Sequence, residues 1–360
     1  MVWVGGGHGG GHGGGHGGGH GGGHGGGHGG GHGGGHGGGH EAAVRSGVGS
    51  SLLSHALATS HDAIIGHWDP KTTSAVAIPD IPTDLSYLSE GRRTQVLVAS
   101  LSGLFQVTPD GAGAAAVLAG GARICHVSRP TDATFRNQLV LVRSYADLRL
   151  DRMAEILAQN VDIITFFAAL APLASPHRKA TFEILTTAQS LCIGLEMQAK
   201  HYCWAARPAD HAPEVQPVIP TPDHSSFPSG HATEAFALAT VMHRLMTGDD
   251  AAAGLQDWAM PFRLAHRIAV NRTVAGLHFP IDSAAGAVLG CAIGDAVCDL
   301  LEGAALKVRR FDGQASFEDL TAAWLQKKSA PDPAGGPVDA PALAKAQWLK
   351  ARLEWGRPSP

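Results

Sequence analysis

Apolar residues recur at intervals of three and four along most of the chain after residue 150. This spacing collects them on one face of an α-helix. It predicts helices in the segments 151–173, 175–204, 231–247, about 257–276 and 281–302. Helices of this kind bury their apolar faces against one another, so the pattern predicts a mainly α fold, a helical bundle whose core spans 151–310.

Before residue 150 the pattern is mixed. The segments 93–107 and 137–145 are rich in Val and Leu with partial alternation, and Gly, Pro and Asp residues bound them. Such segments favour short strands or extended chain. We therefore expect residues 41–150 to form a less regular region with short strands, packed on the helical core.

The last part of the chain, residues 311–360, is expected to be a C-terminal extension. Its segment 329–341 is rich in proline, which predicts a linker. The segment 342–355 is amphipathic and predicts a terminal helix that docks on the bundle.

Residues 1–40 contain a low-complexity tail, in which residues 5–40 are nine copies of GGGH. Glycine at three of every four positions opposes helix formation and offers nothing to bury, so we expect disorder in the unliganded tail. Imidazoles on a flexible chain can chelate a divalent metal such as nickel, copper or zinc, but a repeat expansion without a selected role explains the tract equally well. The candidate ligands are His8, His12, His16, His20, His24, His28, His32, His36 and His40.

Charge and hydropathy exclude some classes of protein. A net charge of −4 with 16% charged residues is not the basic footprint of a nucleic-acid-binding protein. The N-terminus resembles no secretory signal, and each long apolar stretch is interrupted by proline or by a charge such as Asp295. We expect a soluble, cytoplasmic protein without a membrane span, and a periplasmic location stays open.

Two groups of polar residues stand in the middle of the helical region. Lys200 and Arg207 are seven residues apart, so a continuous helix would present both cations on one side, and Pro208 is expected to end that helix. Pro228-Ser229-Gly230-His231 directly precedes an apolar-periodic stretch. That order favours a turn into a helix, whose first N–H groups can bind an anion with glycine allowing close approach.

A third group follows at Arg272, His278 and Asp282. Pro280 is expected in the first turn of the next helix, which leaves Asp282 within reach of the His278 ring. A carboxylate fixes the tautomer of a histidine and leaves its other nitrogen free as a nucleophile. A second histidine can donate a proton to the leaving group. Taken singly, these groups are more typical of helix ends, turns and surface pairs; together they predict an oxyanion site.

Lys200-x6-Arg207-Pro208, Pro228-Ser229-Gly230-His231 and Arg272-x5-His278-x3-Asp282 resemble the three-part signature of the type 2 phosphatidic acid phosphatase and vanadium haloperoxidase superfamily. The resemblance covers residues of about 150 to 305. One departure is Asn271, where many members have serine, although bacterial acid phosphatases also have asparagine there. The resemblance implies a helical-bundle fold and an active site without a metal ion in the core.

The resemblance also implies a role for each matched residue. His278 would be the nucleophile that forms a phosphohistidine, oriented by Asp282, and His231 would be the general acid and then the base. The groups that would bind the phosphoryl oxygens are Lys200, Arg207, Ser229, the Gly230 amide and Arg272.

Three functions remain open at this stage. A phosphatase acting on small-molecule phosphomonoesters, without a required cofactor, fits the short spacing between Arg207 and Ser229. A haloperoxidase would use the same residues to hold vanadate, with His278 as the ligand, and His224 resembles a histidine near the vanadate of bromoperoxidases. A metal-storage protein would use the GGGH tail. We expect the phosphatase, with no nucleic-acid partner, and a homo-oligomer is open.

Overall fold

The structure, a computed structural model, describes residues 51–65, 81–173 and 176–357. It is mostly helical, at 61% helix, which confirms the predicted mainly α class. The GGGH tail and its nine candidate metal ligands lie outside the described residues.

The helices and strands alternate only in the first and last parts of the chain. The helices are α1 (Ser51–Ile64), α2 (Glu90–Ser102), α3 (Asp132–Tyr145), α4 (Arg149–Val161), α5 (Ile164–Ala168), α6 (Lys179–Tyr202), α7 (Pro208–His211), α8 (Gly230–Thr247), α9 (Ala251–Gln256), α10 (Met260–Val274), α11 (Pro280–Glu302), α12 (Ala322–Lys327) and α13 (Ala342–Leu353). Helix α1 falls in a different compact unit from all the other elements.

Five strands form one sheet in the order β1 to β5. The strands are β1 (Phe105–Pro109), β2 (Ala114–Ala119), β3 (Ala122–Ser128), β4 (Ala305–Asp312) and β5 (Asp332–Pro337). The first three form an antiparallel meander, β4 pairs with β3 in parallel, and β5 pairs with β4 antiparallel. The parallel pair joins the region before residue 130 to the end of the chain.

Two segments that we predicted as strands are mainly helical. Residues 137–145 lie in α3, and residues 93–102 lie in α2, so that only the end of the segment 93–107 enters a strand. In α3 the buried positions are Phe135, Gln138 and Val142, which follow the helical period. Burial of this face outweighs the preference of Val for strands, because strand propensity largely reflects packing.

The C-terminal extension also differs from the prediction. The proline-rich segment 329–341 contains β5, whose prolines are tolerated because β5 lies at the edge of the sheet. The amphipathic segment that follows forms α13, and its Ala344, Trp348 and Ala351 are buried in the core.

Helices α8 and α11 form the centre of the structure and position the site. A Cβ at Gly286 would lie 2.5 Å from the Ser229 carbonyl oxygen, and one at Gly290 would collide with the Thr233 carbonyl oxygen. The contacts advance in the same direction along both helices, so the helices run parallel with little space between them. Their N-termini therefore meet at the same end of the core, with both positive dipole ends there.

Helix α11 is apolar along its whole length. Among the described residues, it is the helix whose length and composition would allow it to cross a membrane, and its apolar window is buried entirely inside the structure. The expectation that no segment spans a membrane rested on the charge of Asp295, which interrupts this stretch, and it stays a prediction. In this structure α11 has the position of a core helix.

Candidate active site

Lys200 and Arg207 lie on different elements. Helix α6 carries Lys200 and ends at Tyr202, so the prediction that one helix carries both cations is wrong. Arg207 is the N-cap of α7, and Pro208 begins that helix instead of ending α6. The loop between α7 and α8 brings the two cations together.

Both cations donate hydrogen bonds to main-chain carbonyl oxygens of that loop. Lys200 Nζ donates to Pro228 O at 2.6 Å and to Ser225 O at 3.1 Å. Arg207 Nη2 donates to the same Ser225 O at 3.3 Å and to His224 O at 3.0 Å. Burial lowers the pKa of Lys200 to about 8 and that of Arg207 to about 10. Both groups are therefore mostly cationic at neutral pH.

His278 lies between an acidic and a basic group. Its Nδ1 is 3.2 Å from Asp282 Oδ2, which also accepts hydrogen bonds from Ser226 Oγ at 2.6 Å and Phe279 N at 2.9 Å. Its Nε2 is 3.1 Å from Arg207 Nη1, an obligate donor. Nδ1 therefore carries the proton, and Nε2 presents its lone pair.

The pKa values of this pair favour the same state. Burial, with the charges of Arg207 and Lys200, holds the pKa of His278 well below its ordinary value. Burial raises the pKa of Asp282 to about 6, although its hydrogen bonds with Ser226 and the Phe279 amide oppose the rise. At neutral pH the imidazole is neutral and the carboxylate is mostly ionised.

The N-terminus of α8 touches that of α11. Ser229 is the N-cap of α8, and its N–H donates to the main-chain oxygen of Asp282 at 2.9 Å. The N–H groups in the first turn of α8 have no acceptor within the helix. Among the described residues, the buried Ser229 Oγ has no hydrogen-bond partner. This end of the helix pair therefore offers several donors to an anion.

Arg272 lies near the end of α10 and is completely buried. Its Nη2 donates to Ile156 O at 3.2 Å and to Gln159 Oε1 at 3.3 Å, both on α4. Its Nε and Nη1 have no partner within the described part of the chain. The preceding Asn271 also bonds to α4, because its Nδ2 donates to Gln159 Oε1 and to Glu155 Oε2, each at 2.9 Å.

The two remaining candidate histidines lie at the edges of this network. His231 Nε2 is 3.1 Å from the main-chain oxygen of Gln159. A carbonyl can only accept, so Nε2 carries a proton. His224 Nδ1 is 3.2 Å from Arg207 Nη2. Burial, with the charges of Lys200 and Arg207, lowers the pKa of His224 to about 4, so its ring is neutral.

A carboxyl group that the sequence did not single out packs against the anion-binding turn. Glu196 is buried on α6, one turn before Lys200, and a Cβ at Gly230 would collide with its Oε1. Burial and the nearby Glu234 hold the pKa of Glu196 well above its ordinary value. Burial therefore favours the neutral form of Glu196, whose charge, when present, supports the cationic form of Lys200.

The structure connects all nine sequence-predicted core residues through hydrogen bonds or direct neighbours. These residues are Lys200, Arg207, His224, Ser229, Gly230, His231, Arg272, His278 and Asp282. Sequence reasoning missed Ser226, Gln159 and Glu196. Ser226 stood inside the quoted stretch, and Glu196 stood one helical turn from Lys200, but nothing near Gln159 marked it. No group of three or more metal-ligating side chains occurs among the residues that the structure describes.

The cations, the unpartnered donors and the histidines together define what this arrangement can do chemically. Three buried cations and a helix N-terminus surround the donors that lack protein partners, namely Ser229 Oγ and Arg272 Nε and Nη1. Such donors fit the oxygens of a tetrahedral oxyanion. The neutral His278 Nε2 is a nucleophile beside that anion, and His231 is a group that can exchange a proton.

Comparison with known proteins gives one family. The family model described as PAP2 superfamily matches residues 180–301, which include every residue from Lys200 to Asp282 in the site. Two proteins of Mycobacterium tuberculosis, from strains CDC 1551 / Oshkosh and ATCC 25618 / H37Rv, are each 31% identical over 143 residues. Each alignment covers 40% of this chain and 73% of the relative. Both relatives are named decaprenylphosphoryl-5-phosphoribose phosphatase.

Proposed function

Because the chain belongs to the PAP2 superfamily and is a phosphatase of that family, we propose that it hydrolyses phosphomonoesters through a phosphohistidine at His278. The observation that carries this proposal is the orientation of the His278 ring. Its Nδ1 faces Asp282 Oδ2 at 3.2 Å, and its unprotonated Nε2 lies 3.1 Å from Arg207 Nη1. A lone pair beside a cation that binds phosphoryl oxygens is what attack on phosphorus requires.

The phosphoryl group would be held by charge and by the helix N-terminus. Lys200, Arg207 and Arg272 supply the positive charges, and none of them is paired with a carboxylate among the described residues. Ser229 Oγ and the first amides of α8 supply further donors. Fixed donors of this kind stabilise the charge that develops on the oxygens in the transition state, so no metal ion is required for that role.

Each step transfers the phosphoryl group and one proton. In the first step, His278 Nε2 attacks phosphorus, the P–O bond to the alcohol breaks, and His231, which starts with a proton on both ring nitrogens, gives the Nδ1 proton to the leaving oxygen. In the second step, water attacks phosphorus, His231 takes a proton from that water, and the P–N bond breaks to release inorganic phosphate. The Gln159 carbonyl supports this role, because it accepts from Nε2 of His231 and so fixes the orientation of the ring.

The relatives suggest a first substrate to test. Their name includes a phosphoribose phosphatase activity. We propose that this chain also accepts a phosphorylated ribose compound, within the broader class of small-molecule phosphomonoesters.

The test is a trapping experiment with the full chain and a substrate that carries radioactive phosphate. We expect an acid-labile, base-stable label on the wild-type protein after rapid quenching, and neither label nor turnover in His278→Ala, which lacks the nucleophile. His201→Ala is the matched control, because His201 is an exposed imidazole on α6 next to Lys200. Full turnover by His278→Ala would contradict the mechanism, as would labelling of that variant.

A second candidate function is haloperoxidase activity, and the observation that favours it is His224. This neutral imidazole lies 3.2 Å from Arg207, inside the oxyanion site. The unpartnered donors Ser229 Oγ and Arg272 Nε fit vanadate as well as phosphate, and His278 Nε2 would be its ligand. Bound vanadate would supply Lewis-acid activation of hydrogen peroxide.

A paired assay separates the two functions. One aliquot is assayed for hydrolysis of p-nitrophenyl phosphate, and the other is loaded with orthovanadate and assayed with peroxide and bromide. Hydrolysis that vanadate blocks, with at most trace halogenation, is the expected result. Strong halogenation with negligible hydrolysis would favour the haloperoxidase and make His224 the first residue to substitute.

A further inference from the structure

Gln159 contacts the site from outside the residues that match the family. It lies in the last turn of α4, before the matched span of 180–301, and its side chain is fully buried. Its Oε1 accepts from Asn271 Nδ2 at 2.9 Å and from Arg272 Nη2 at 3.3 Å. Both partners are donors, so the oxygen of the amide must face them.

The main chain of the same residue makes a second contact with the site. Gln159 O is 3.1 Å from His231 Nε2. Carbonyl groups in the last turn of a helix have no N–H donor within the helix, so they accept hydrogen bonds from groups elsewhere. His231 is such a group for Gln159, and the contact keeps a proton on Nε2 of the ring.

The side-chain contact holds Arg272 without neutralising it. The groups that accept from Arg272 Nη2 are the Ile156 carbonyl and the Gln159 amide, and both are uncharged. The Glu155 carboxylate, which accepts from the neighbouring Asn271, is paired with Arg267. Burial lowers the pKa of Arg272 to about 10, and Glu234 is the carboxyl whose charge opposes this lowering. Because this value is still well above neutral pH, the group stays cationic. The amide acceptor therefore holds Arg272 without placing a carboxylate in hydrogen-bond contact with it.

We propose that Gln159 is a positioning residue that fixes Arg272 through its side chain and His231 through its main chain. One residue of α4 then sets the distance between a phosphate-binding group and the proton donor. The inference rests on the proposed function, because it assigns Gln159 to the reaction in which Arg272 binds phosphoryl oxygen. Substitution of the side chain should therefore disturb Arg272 and leave the main-chain bond to His231 in place.

The test uses Gln159→Met, which keeps the length of the side chain and removes the acceptor. Gln347→Met is the matched control, because Gln347 is also a buried glutamine but donates to Glu183, between α13 and α6. The readouts are the inhibition constant of inorganic phosphate, and kcat and KM for p-nitrophenyl phosphate and an alkyl phosphate. Thermal melting checks that each variant folds.

We expect Gln159→Met to raise the inhibition constant of phosphate by about tenfold or more, since hydrogen bonds to charged groups are among the stronger ones. The kcat ratio between the two substrates should stay at the wild-type value, because the bond to His231 comes from the main chain. His231→Ala should change that ratio. An unchanged inhibition constant in folded Gln159→Met would overturn the inference, and so would a change in the ratio alone.

A double-mutant cycle then asks whether Gln159 acts through Arg272. In the Arg272→Met background, adding Gln159→Met should change phosphate binding by less than about twofold, because the partner is already absent. A further tenfold loss in that background would overturn the inference. If Gln159→Met does not fold, Gln159→Asn replaces it, since it withdraws the oxygen with a smaller change in the core.

The same cycle separates failure of this inference from failure of the proposed function. Phosphate binding is measured by calorimetry as well as by inhibition. Loss of binding in Arg272→Met but not in Gln159→Met would remove only the positioning role. Unchanged binding in Arg272→Met, or the absence of hydrolysis by the wild-type chain, would remove the proposed function itself.

Discussion

Buried cations have different partners at the two ends of the parallel pair α8 and α11. At the N-terminal end, Lys200, Arg207 and Arg272 are held by carbonyl and amide oxygens, and burial lowers the pKa of each. At the C-terminal end, Arg244 is paired with Asp299 at 3.0 Å and with Glu302 at 2.9 Å. There, burial opposes the charge, but the paired carboxylates Glu302 and Asp299 help to hold the pKa of Arg244 above its ordinary value.

This difference separates structural charges from charges available to a ligand. Arg309 in β4 follows the pattern of the C-terminal end, because it is paired with Asp295 at 2.7 Å and its pKa is raised. The carboxyl of Glu196, in contrast, lies beside the site with a pKa that burial holds well above its ordinary value. The protein's own carboxylates therefore balance the cation at one end of the helix pair, whereas under the proposed function a negatively charged substrate would balance the cations at the other end.

The largest expected effect is a loss of stability from substitution at the C-terminal end of the helix pair. Arg244→Met removes one cation and leaves Asp299 and Glu302 buried with fewer partners, so we expect a loss of about 3 kcal/mol in the free energy of unfolding. The kcat of the folded fraction should be unchanged. Arg143→Met is the control, because its pair with Asp147 is exposed to solvent and should contribute little to stability. Chemical denaturation measures both, and equal losses would contradict the comparison.

The complementary substitution replaces a cation at the N-terminal end of the helix pair, where the candidate site lies. Arg272→Met should lower kcat by about a hundredfold to a thousandfold, as removal of one fixed donor to a developing oxyanion does in other enzymes. Its melting temperature should change much less than that of Arg244→Met, because Arg272 has no carboxylate partner to leave unpaired. Steady-state kinetics and thermal melting on the same preparation check this. A large loss of stability with little loss of kcat would reverse the assignment of the two ends.

The smallest effect is on the pH profile of kcat/KM. Asp282, with a pKa of about 6, becomes neutral as the pH falls through that value and ceases to support His278 as a charged acceptor. Lys200, with a pKa of about 8, loses its charge as the pH rises through that value. We expect a bell-shaped profile with limbs near these two values, measured with p-nitrophenyl phosphate. Lys200→Arg should move the alkaline limb upward, and an unmoved limb would assign it to another group.

The sequence predicted which residues lie close together better than it predicted the helices and strands that carry them. The residues of the three-part signature could be found because each part is contiguous, and local order alone brings Asp282 to His278 across the first turn of α11. Arg207 reaches the same place for a reason that spacing did not reveal. Helix α6 ends early, and the loop carbonyl of Ser225 accepts from both cations.

The missed elements and residues depend on tertiary contacts. Helix α3 contains a run of Val and Leu, but Thr131 caps its start by accepting from the Thr134 amide, and this cap was a readable signal for a helix. Gln159 gave no such signal, because its role depends on α4 packing against α10, far along the chain. Strand β5 forms only because β4 offers an unpaired edge.

The glycines between α8 and α11 have a consequence for efforts to change the specificity of this protein by directed mutagenesis. Gly290 lies eight residues after Asp282, or about 12 Å along the helix. A methyl group there would press on the Thr233 carbonyl and shift Ser229, one turn earlier on α8, relative to His278. Libraries should therefore leave Gly286 and Gly290 unchanged, because a single added carbon at either glycine would alter how every substrate is aligned.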